Sequence, residues 1–158
     1  MISVWRIDKA KRSRQDSFSG NGASIEGGRW NHAGIRMVYA SETLSLAAWE
    51  KFVHMGDEGR SLKLASYKIE IPPDIRIEEL SRKDLPSNGE AIPAPKSTKD
   101  IGTEWVKRMR SAILKVPSVT ITMEHNYLLN PLHPDFKSLK ISAPEPFQFD
   151  TRLGMADL

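Results

Sequence analysis

The sequence contains no cysteine among its 158 residues. Disulfide bridges, thiolate nucleophiles and cysteine-ligated zinc or iron–sulfur centres are therefore excluded. No apolar run approaches the ~18 residues needed to cross a bilayer. Arg6 and Asp8 interrupt the first residues before the apolar core of a signal peptide could form. These absences lead us to expect a cytoplasmic protein without a membrane segment.

Glycine and proline number 10 residues each, too few for a collagen-like or low-complexity chain. The composition is 39% hydrophobic and 27% charged, as in ordinary soluble proteins. A chain of this length buries roughly 70% of the surface that its unfolded form exposes, so it needs no metal to fold. We expect a single domain over residues 1–158.

The net charge of +3 is unevenly distributed. Residues 1–36 contain seven basic and three acidic side chains, whereas the remainder is nearly balanced. A basic segment of this kind either meets nucleic acid or a phosphate-bearing small molecule, or forms a solvated loop.

The hydrophobic periodicity predicts several short strands and two helices, typical of an α+β domain. The predicted strands are 2–7, 36–41, 66–71, 75–80, 118–123, 139–142 and 147–149. One predicted helix spans about 42–55, is capped by Ser41, and is apolar nearly all round, so we expect it to be largely buried. The second begins at Ser97 or Thr98 and ends near Val116. Residues 9–28, 81–96 and 125–136 are predicted loops.

Common catalytic motifs are missing. The chain has no G-x-G-x-x-G after a strand, no P-loop, no G-x-S-x-G and no H-E-x-x-H. Its four histidines have no helical i,i+4 spacing to one another, and we therefore expect no metal site.

Two positions suggest chemistry. Arg29 follows Gly27 and Gly28, which permit close approach of the backbone to a ligand. An arginine there suits a phosphate or pyrophosphate, although a surface turn is the plainer interpretation. Glu50 falls on an apolar face of its predicted helix, where a carboxylate must be paired or hydrogen-bonded. It belongs either to a structural ion pair or to a pocket that stabilises positive charge.

Three further residues are candidates by position. Tyr39 lies in the strand before the helix of Glu50, and is either a core residue or a ring for a planar ligand. Ser118 and Asn126 lie at predicted strand ends, where polar groups can project into a cleft or simply form turns.

Six short segments stand out in order along the chain: Gly-Gly-Arg-Trp-Asn (27–31), Val-Tyr-Ala-Ser (38–41), Leu-Ala-Ala-Trp-Glu (46–50), Val-Pro-Ser (116–118), Asn-Tyr-Leu-Leu-Asn-Pro-Leu-His-Pro-Asp-Phe (126–136) and Phe-Gln-Phe-Asp-Thr-Arg-Leu (147–153). Together they resemble the RES-domain toxins. Each piece is short, but the set spans nearly the whole chain in the family's order. The Arg, Glu and Ser that name the family correspond to Arg29, Glu50 and Ser118.

The resemblance implies an ADP-ribosyltransferase-like fold, with a split, mainly β core and flanking helices. It implies a bacterial type II toxin that consumes NAD⁺ as a substrate, with no cofactor and no metal. The nicotinamide–ribose bond would be cleaved by hydrolysis or phosphorolysis, or ADP-ribose would be transferred to a protein. The implied partner is a small helix-turn-helix antitoxin that covers the pocket, so that any contact with DNA is indirect.

The resemblance also implies residue roles. Arg29, Tyr39 and Glu50 would be the catalytic residues. Glu50 would hold the ribose hydroxyls and stabilise charge on the ribose, Arg29 would grip the pyrophosphate, and Tyr39 would pack against nicotinamide or the adjoining ribose. Trp30, Ser118 and Asn126 would line the substrate site.

A different class of function is a non-catalytic nucleic-acid-binding domain, with Trp5, Phe18 and Trp30 as stacking groups. Glu50 argues against this function, because a carboxylate repels the phosphate groups that such a surface binds. A third possibility is an inactive relative retained as an interaction partner.

Overall fold

Eight strands form one sheet in the computed structural model, which describes residues 1–56 and 61–153. The strands are β1 (Ile2–Lys9), β2 (Val38–Ser41), β3 (Leu64–Ile71), β4 (Ile77–Glu79), β5 (Ile113–Pro117), β6 (His125–Leu129), β7 (Lys140–Ile141) and β8 (Glu145–Phe147). The helices are α1 (Arg14–Ser17), α2 (Asn21–Glu26), α3 (Leu44–Met55) and α4 (Lys96–Arg108). Short 3-10 turns lie at Arg82–Asp84 and Pro134–Ser138. The α+β prediction is confirmed.

The strand order is β4-β5-β6-β2-β1-β3-β7, with β8 also paired to β3. β4 and β5 run parallel, and the other pairs are antiparallel. β1 pairs with β3 along its whole length, but its register with β2 is the single pair Trp5↔Ser41. Beyond that pair the Arg6 guanidinium lies between the strands and donates a hydrogen bond of 3.0 Å to the Tyr39 carbonyl. The sheet is therefore split between β1 and β2.

Three apolar clusters form the core. The largest packs on the sheet face that carries Val4, Val38 and Tyr67. Because strand side chains alternate between faces, Leu114 and Leu128 lie on the opposite face. That face supports two separate clusters: one contains Trp30 and Trp105, and the other joins α3 to Ile7, Leu64 and Phe149. The space between these two clusters is where polar side chains collect.

The second cluster depends on an unusually close approach of α4 to the 27–31 loop. A Cβ built at Gly102 would lie 1.8 Å from the Trp30 carbonyl oxygen. Only glycine fits there, and the loop that contains Arg29 is thereby fixed against α4.

The helix α3 begins two residues later than a Ser41 cap would place it. Thr43 is the N-cap, and its hydroxyl accepts a hydrogen bond of 3.0 Å from the Leu46 amide. Gly56, with a φ of 62°, ends the helix. The expectation that this helix is largely buried is wrong, because Trp49 and Val53 are 46% and 60% exposed.

Other predicted boundaries also need correction. The second helix ends at Arg108 instead of Val116, and Ile113–Pro117 is strand β5, paired on both sides. Residues 118–123 form bends and turns instead of a strand, while His125–Leu129, expected in a loop, is strand β6. The predicted loop 9–28 contains α1 and α2. No helix in the described part of the chain is long and apolar enough to span a membrane.

Candidate functional site

Glu50 on α3 and Arg29 in the 27–31 loop lie near enough for their charges to interact, and we call the space between these two elements the cleft. Glu50 enters it from α3, Ser41 from the end of β2, and Asn126 from the start of β6, directly opposite Ser41 in the register. Ser118 follows the last residue of β5. The fold therefore brings together Glu50, Ser118 and Asn126, as predicted, and adds Ser41.

Three neutral donors hold the Glu50 carboxylate. Asn126 Nδ2 donates to Oε2 at 2.6 Å, and the Ser41 hydroxyl donates to the same oxygen at 3.2 Å. The Ser118 hydroxyl donates to Oε1 at 3.2 Å. Within the described residues Glu50 forms no salt bridge, which favours a pocket carboxylate over a structural ion pair.

Burial raises the pKa of Glu50, because the charged carboxylate loses hydration. The hydrogen bonds from Asn126, Ser118 and Ser41, and then the charge of Arg29, act in the opposite direction. In the free protein, the ionised form of the Glu50 carboxylate is therefore higher in free energy than it would be in water. Such a carboxylate is suited to gain stabilisation when a positive charge forms beside it.

Arg29 lies on the other side of the cleft. Its Nη1 donates to the carbonyl oxygens of Gly89 and Ala91, at 3.1 and 3.0 Å. Partial burial lowers the pKa of Arg29, and the neighbouring Tyr39, Glu50 and Glu90 oppose that shift. The guanidinium is therefore near enough to the Glu50 carboxylate for the two charges to interact.

The Tyr39 hydroxyl organises the Arg29 loop. It accepts a hydrogen bond of 3.0 Å from the Trp30 amide and donates one of 2.5 Å to Asn31 Oδ1. Burial raises the pKa of Tyr39 well above its ordinary value. A Cβ at Gly28 would lie 2.6 Å from the hydroxyl oxygen, so glycine is needed at this approach. Contact of the Tyr39 ring with nicotinamide stays a prediction.

Asn31 fixes the same loop from within. Its side chain is fully buried, and Nδ2 donates to the carbonyls of Ala23 and Ile35 at 2.9 and 3.0 Å. The loop is thus held by side-chain hydrogen bonds to backbone, which sequence periodicity does not reveal.

Trp30 lies in the core in this structure. The residue is only 2% exposed and packs with Met37, Trp105 and Val116, so its expected substrate contact stays a prediction. Two of the three stacking groups of the nucleic-acid alternative are buried, because Phe18 is 5% exposed, whereas Trp5 is half-buried. Trp30 and Phe18 are core residues in this structure.

The sequence reasoning missed two residues near the cleft. Ser41 was expected only as a helix cap, and its position just before the helix of Glu50 was the available signal. His54 lies one helical turn after Glu50, and its pKa is lowered by burial and by the charges of Lys51 and Arg29. In the described part of the chain, no group of three His, Asp or Glu side chains is arranged to hold a metal ion.

Comparison with known proteins gives a consistent family match. The family profile described as "RES domain" matches residues 3–150. The chain is 37% identical over 154 residues to the "Prs ADP-ribosylating toxin" of Sphingobium sp. (strain YBL2), covering 96% of each chain. It is 40% identical over 153 residues to the "Toxin Res" of Yersinia enterocolitica, covering 96% of this chain and 99% of that one.

A solved structure has a similar fold. It is a chain of the crystal structure of the M. tuberculosis MbcT-MbcA toxin-antitoxin complex. The TM-score is 0.75 at 14% sequence identity, and the match covers 93% of this chain and 84% of the other. At that identity the similarity concerns the fold alone.

Proposed function

The chain belongs to the RES-domain family, and from this we propose that it is the toxin of a toxin–antitoxin system that consumes NAD⁺ by breaking the nicotinamide–ribose bond. The observation that carries the proposal is the Glu50 carboxylate, held by three neutral donors in a cleft opposite Arg29. The names of the curated relatives support the assignment as a toxin.

Glu50 supplies the electrostatic part of the reaction. Departure of neutral nicotinamide leaves oxocarbenium-like positive charge on the ribose, as in glycoside cleavage. A fixed carboxylate stabilises that charge most strongly where water is excluded. Ser41, Ser118 and Asn126 hold the carboxylate, so that it does not have to reorganise as the charge develops.

Arg29 supplies binding and orientation. An arginine fork donates parallel hydrogen bonds to phosphate oxygens, which suits the NAD⁺ pyrophosphate. When Arg29 holds the pyrophosphate on one side of the cleft, the ribose lies toward Glu50. The binding energy of the pyrophosphate is thereby used to orient the reacting bond. Tyr39 maintains the loop that presents Arg29 and offers its ring to nicotinamide.

The acceptor of the ADP-ribosyl group distinguishes two forms of this reaction. With water as acceptor the products are nicotinamide and ADP-ribose, and with phosphate they are nicotinamide and a phosphorylated ADP-ribose. The name of the Sphingobium relative favours a second candidate, transfer of ADP-ribose to a protein side chain.

One experiment separates these reactions. Purified protein is incubated with NAD⁺ labelled in the adenylate part in three mixtures: in buffer alone, with inorganic phosphate, and with a cell extract. Label in free ADP-ribose, in its phosphorylated form or in protein identifies the acceptor. Unchanged NAD⁺ in all three mixtures would refute the proposal.

The partner we propose is a small helix-turn-helix antitoxin that covers the cleft. The toxin–antitoxin complex among the structural matches supports such a partner. Val53, on the helix of Glu50, is 60% exposed, and Ile92, next to a carbonyl bound by Arg29, is 86% exposed. Apolar side chains in these places suit a protein interface. Co-expression with the adjacent reading frame followed by size-exclusion chromatography tests this, and separate elution of two folded proteins would contradict it.

A further inference from the structure

Arg82 connects two loops that are distant in sequence. Its Nη2 donates to the carbonyl oxygen of Thr122 at 2.6 Å and to that of Ser118 at 3.3 Å. Its Nη1 forms an ion pair and hydrogen bond with Glu90. One planar guanidinium therefore joins the turn that begins at Ser118 to the segment around Glu90.

The other side of Glu90 leads to Arg29. The carbonyls of its two neighbours, Gly89 and Ala91, accept the hydrogen bonds from Arg29 Nη1. The segment is internally ordered, because the Gly89 amide donates to the Pro86 carbonyl at 2.8 Å and the Ala91 amide to the Asn88 carbonyl at 3.0 Å. A displacement of Glu90 would therefore displace the carbonyls that orient Arg29.

The Ser118 turn leads to Glu50. The Ser118 hydroxyl accepts hydrogen bonds from the Thr120 and Ile121 amides, at 3.0 and 3.1 Å, and donates its own hydrogen to Glu50. The residue whose carbonyl binds Arg82 is thus the residue whose hydroxyl binds Glu50. A continuous set of contacts runs from Glu50 through Ser118, Arg82 and Glu90 to Arg29.

We propose that Arg82 is a positioning residue of the active site, which fixes the 89–91 segment and through it the Arg29 guanidinium for the substrate pyrophosphate. This inference rests on the proposed NAD⁺ chemistry. Both hydrogen bonds that Arg29 makes within the described residues come from Nη1, so Nε and Nη2 remain for phosphate oxygens. The carbonyls of Gly89 and Ala91 therefore orient the guanidinium without occupying those two donors.

The position predicts a specific kinetic effect. Loss of Arg82 releases the 89–91 segment and lets Arg29 adopt other rotamers, which weakens binding of the pyrophosphate. Glu50 is still held by Asn126 and Ser41 after that loss. KM for NAD⁺ should therefore rise while kcat changes little, because the lost contact acts equally on bound substrate and transition state.

The test compares Arg82→Gln with Arg108→Gln. Arg108 is a matched control, because it is also an exposed arginine paired with one carboxylate, Glu104, at 2.9 Å. We expect Arg82→Gln to raise KM roughly tenfold, the effect of about one charge-assisted hydrogen bond, with kcat within about threefold, and Arg108→Gln to leave both unchanged. Arg82→Lys should restore part of the loss, since a lysine can reach one partner but not both. An unchanged KM in Arg82→Gln, or an equal rise in the control, overturns the proposal.

Hydrogen–deuterium exchange of the same proteins tests the coupling without any activity. Arg82→Gln should speed exchange in residues 88–92 as well as in 118–124, whereas Arg108→Gln should not. Faster exchange confined to 118–124 overturns the connection to Arg29. If the wild type leaves NAD⁺ intact, the proposed function fails. The hydrogen–deuterium exchange measurement still shows whether Arg82 positions the 89–91 segment. If Arg82→Gln does not fold, Glu90→Gln, which breaks the same ion pair, provides the decisive comparison.

Discussion

Replacement of Glu50 by Gln separates a catalytic carboxylate from a structural one. The substitution keeps the size of the side chain and removes its charge. Glu50 accepts three hydrogen bonds, from Asn126 and Ser41 on Oε2 and from Ser118 on Oε1. A glutamine oxygen can still accept from Asn126 and Ser41, but its amide hydrogens face the Ser118 hydroxyl, which already accepts two backbone amides. About one hydrogen bond is therefore lost.

The effect on stability should be small. Loss of one hydrogen bond costs about 1 kcal/mol, while removal of a partly desolvated charge acts in the opposite direction. A net change within about 1 kcal/mol corresponds to a shift in melting temperature of about 2–4 °C for a domain of this size. By contrast, removal of one preorganised electrostatic contact typically lowers turnover on the order of 10²–10³-fold.

The pH dependence has a definite sign. The folded protein raises the pKa of Glu50, so the fold favours the protonated carboxyl. Its contribution to stability is present below the pKa of the unfolded chain and is lost as the pH rises through the folded value. The melting temperature of Glu50→Gln relative to wild type should therefore increase from pH 4 toward pH 7.

The assay measures melting temperature, NAD⁺ affinity and nicotinamide release on the same preparations. Glu104→Gln, on the exposed face of α4, is the control for loss of one glutamate charge. A folded, NAD⁺-binding and inactive Glu50→Gln supports the account. A large fall in melting temperature with normal turnover per folded molecule would refute it and restore the structural interpretation.

Three further predictions follow from the loop opposite Glu50. Arg29→Ala should lower kcat/KM about ten- to a hundredfold, and Arg29→Lys should also be impaired; wild-type kinetics in a folded variant would remove Arg29 from the site. Tyr39→Phe leaves the Trp30 amide and Asn31 Oδ1 without the hydroxyl, and should lower the free energy of unfolding by about 1–3 kcal/mol in urea titrations; an unchanged midpoint would contradict this. Gly102→Ala should strongly destabilise the protein or prevent folding, because its Cβ would lie 1.8 Å from the Trp30 carbonyl oxygen; a normal melting temperature would show that the close approach is not obligatory.

Local patterns predicted part of this fold. The strand near 66–71 was found because its apolar residues alternate with polar ones, and the strands near 2–7 and 36–41 and the helix near 42–55 were found because they are short apolar segments. Residues 112–116 were assigned to a helix because Ala112, Ile113 and Val116 also fit helical spacing. Their pairing with β4 and β6 is set by residues far along the chain, which no local window contains.

The site was predictable where chemistry was anomalous. Glu50 on an apolar face conflicts with a plain core, and Arg29 after two glycines fits either a surface turn or a phosphate contact; the structure places their charges near each other. The segment 81–96 gave no signal, because the contacts of Arg82 with Ser118 and Thr122 span 36 and 40 residues. The burial of Trp30 was not predicted, because a tryptophan beside glycines has the same sequence pattern in a core as in a ligand site.

The most direct test of the central claim is the release of nicotinamide from NAD⁺ by the purified protein, with Glu50→Gln measured in parallel. The account predicts that wild-type protein releases one nicotinamide for each NAD⁺ consumed, and that Glu50→Gln, although folded, releases it at least a hundredfold more slowly. Intact NAD⁺ after prolonged incubation with folded wild-type protein, or equal rates from the two proteins, would contradict it.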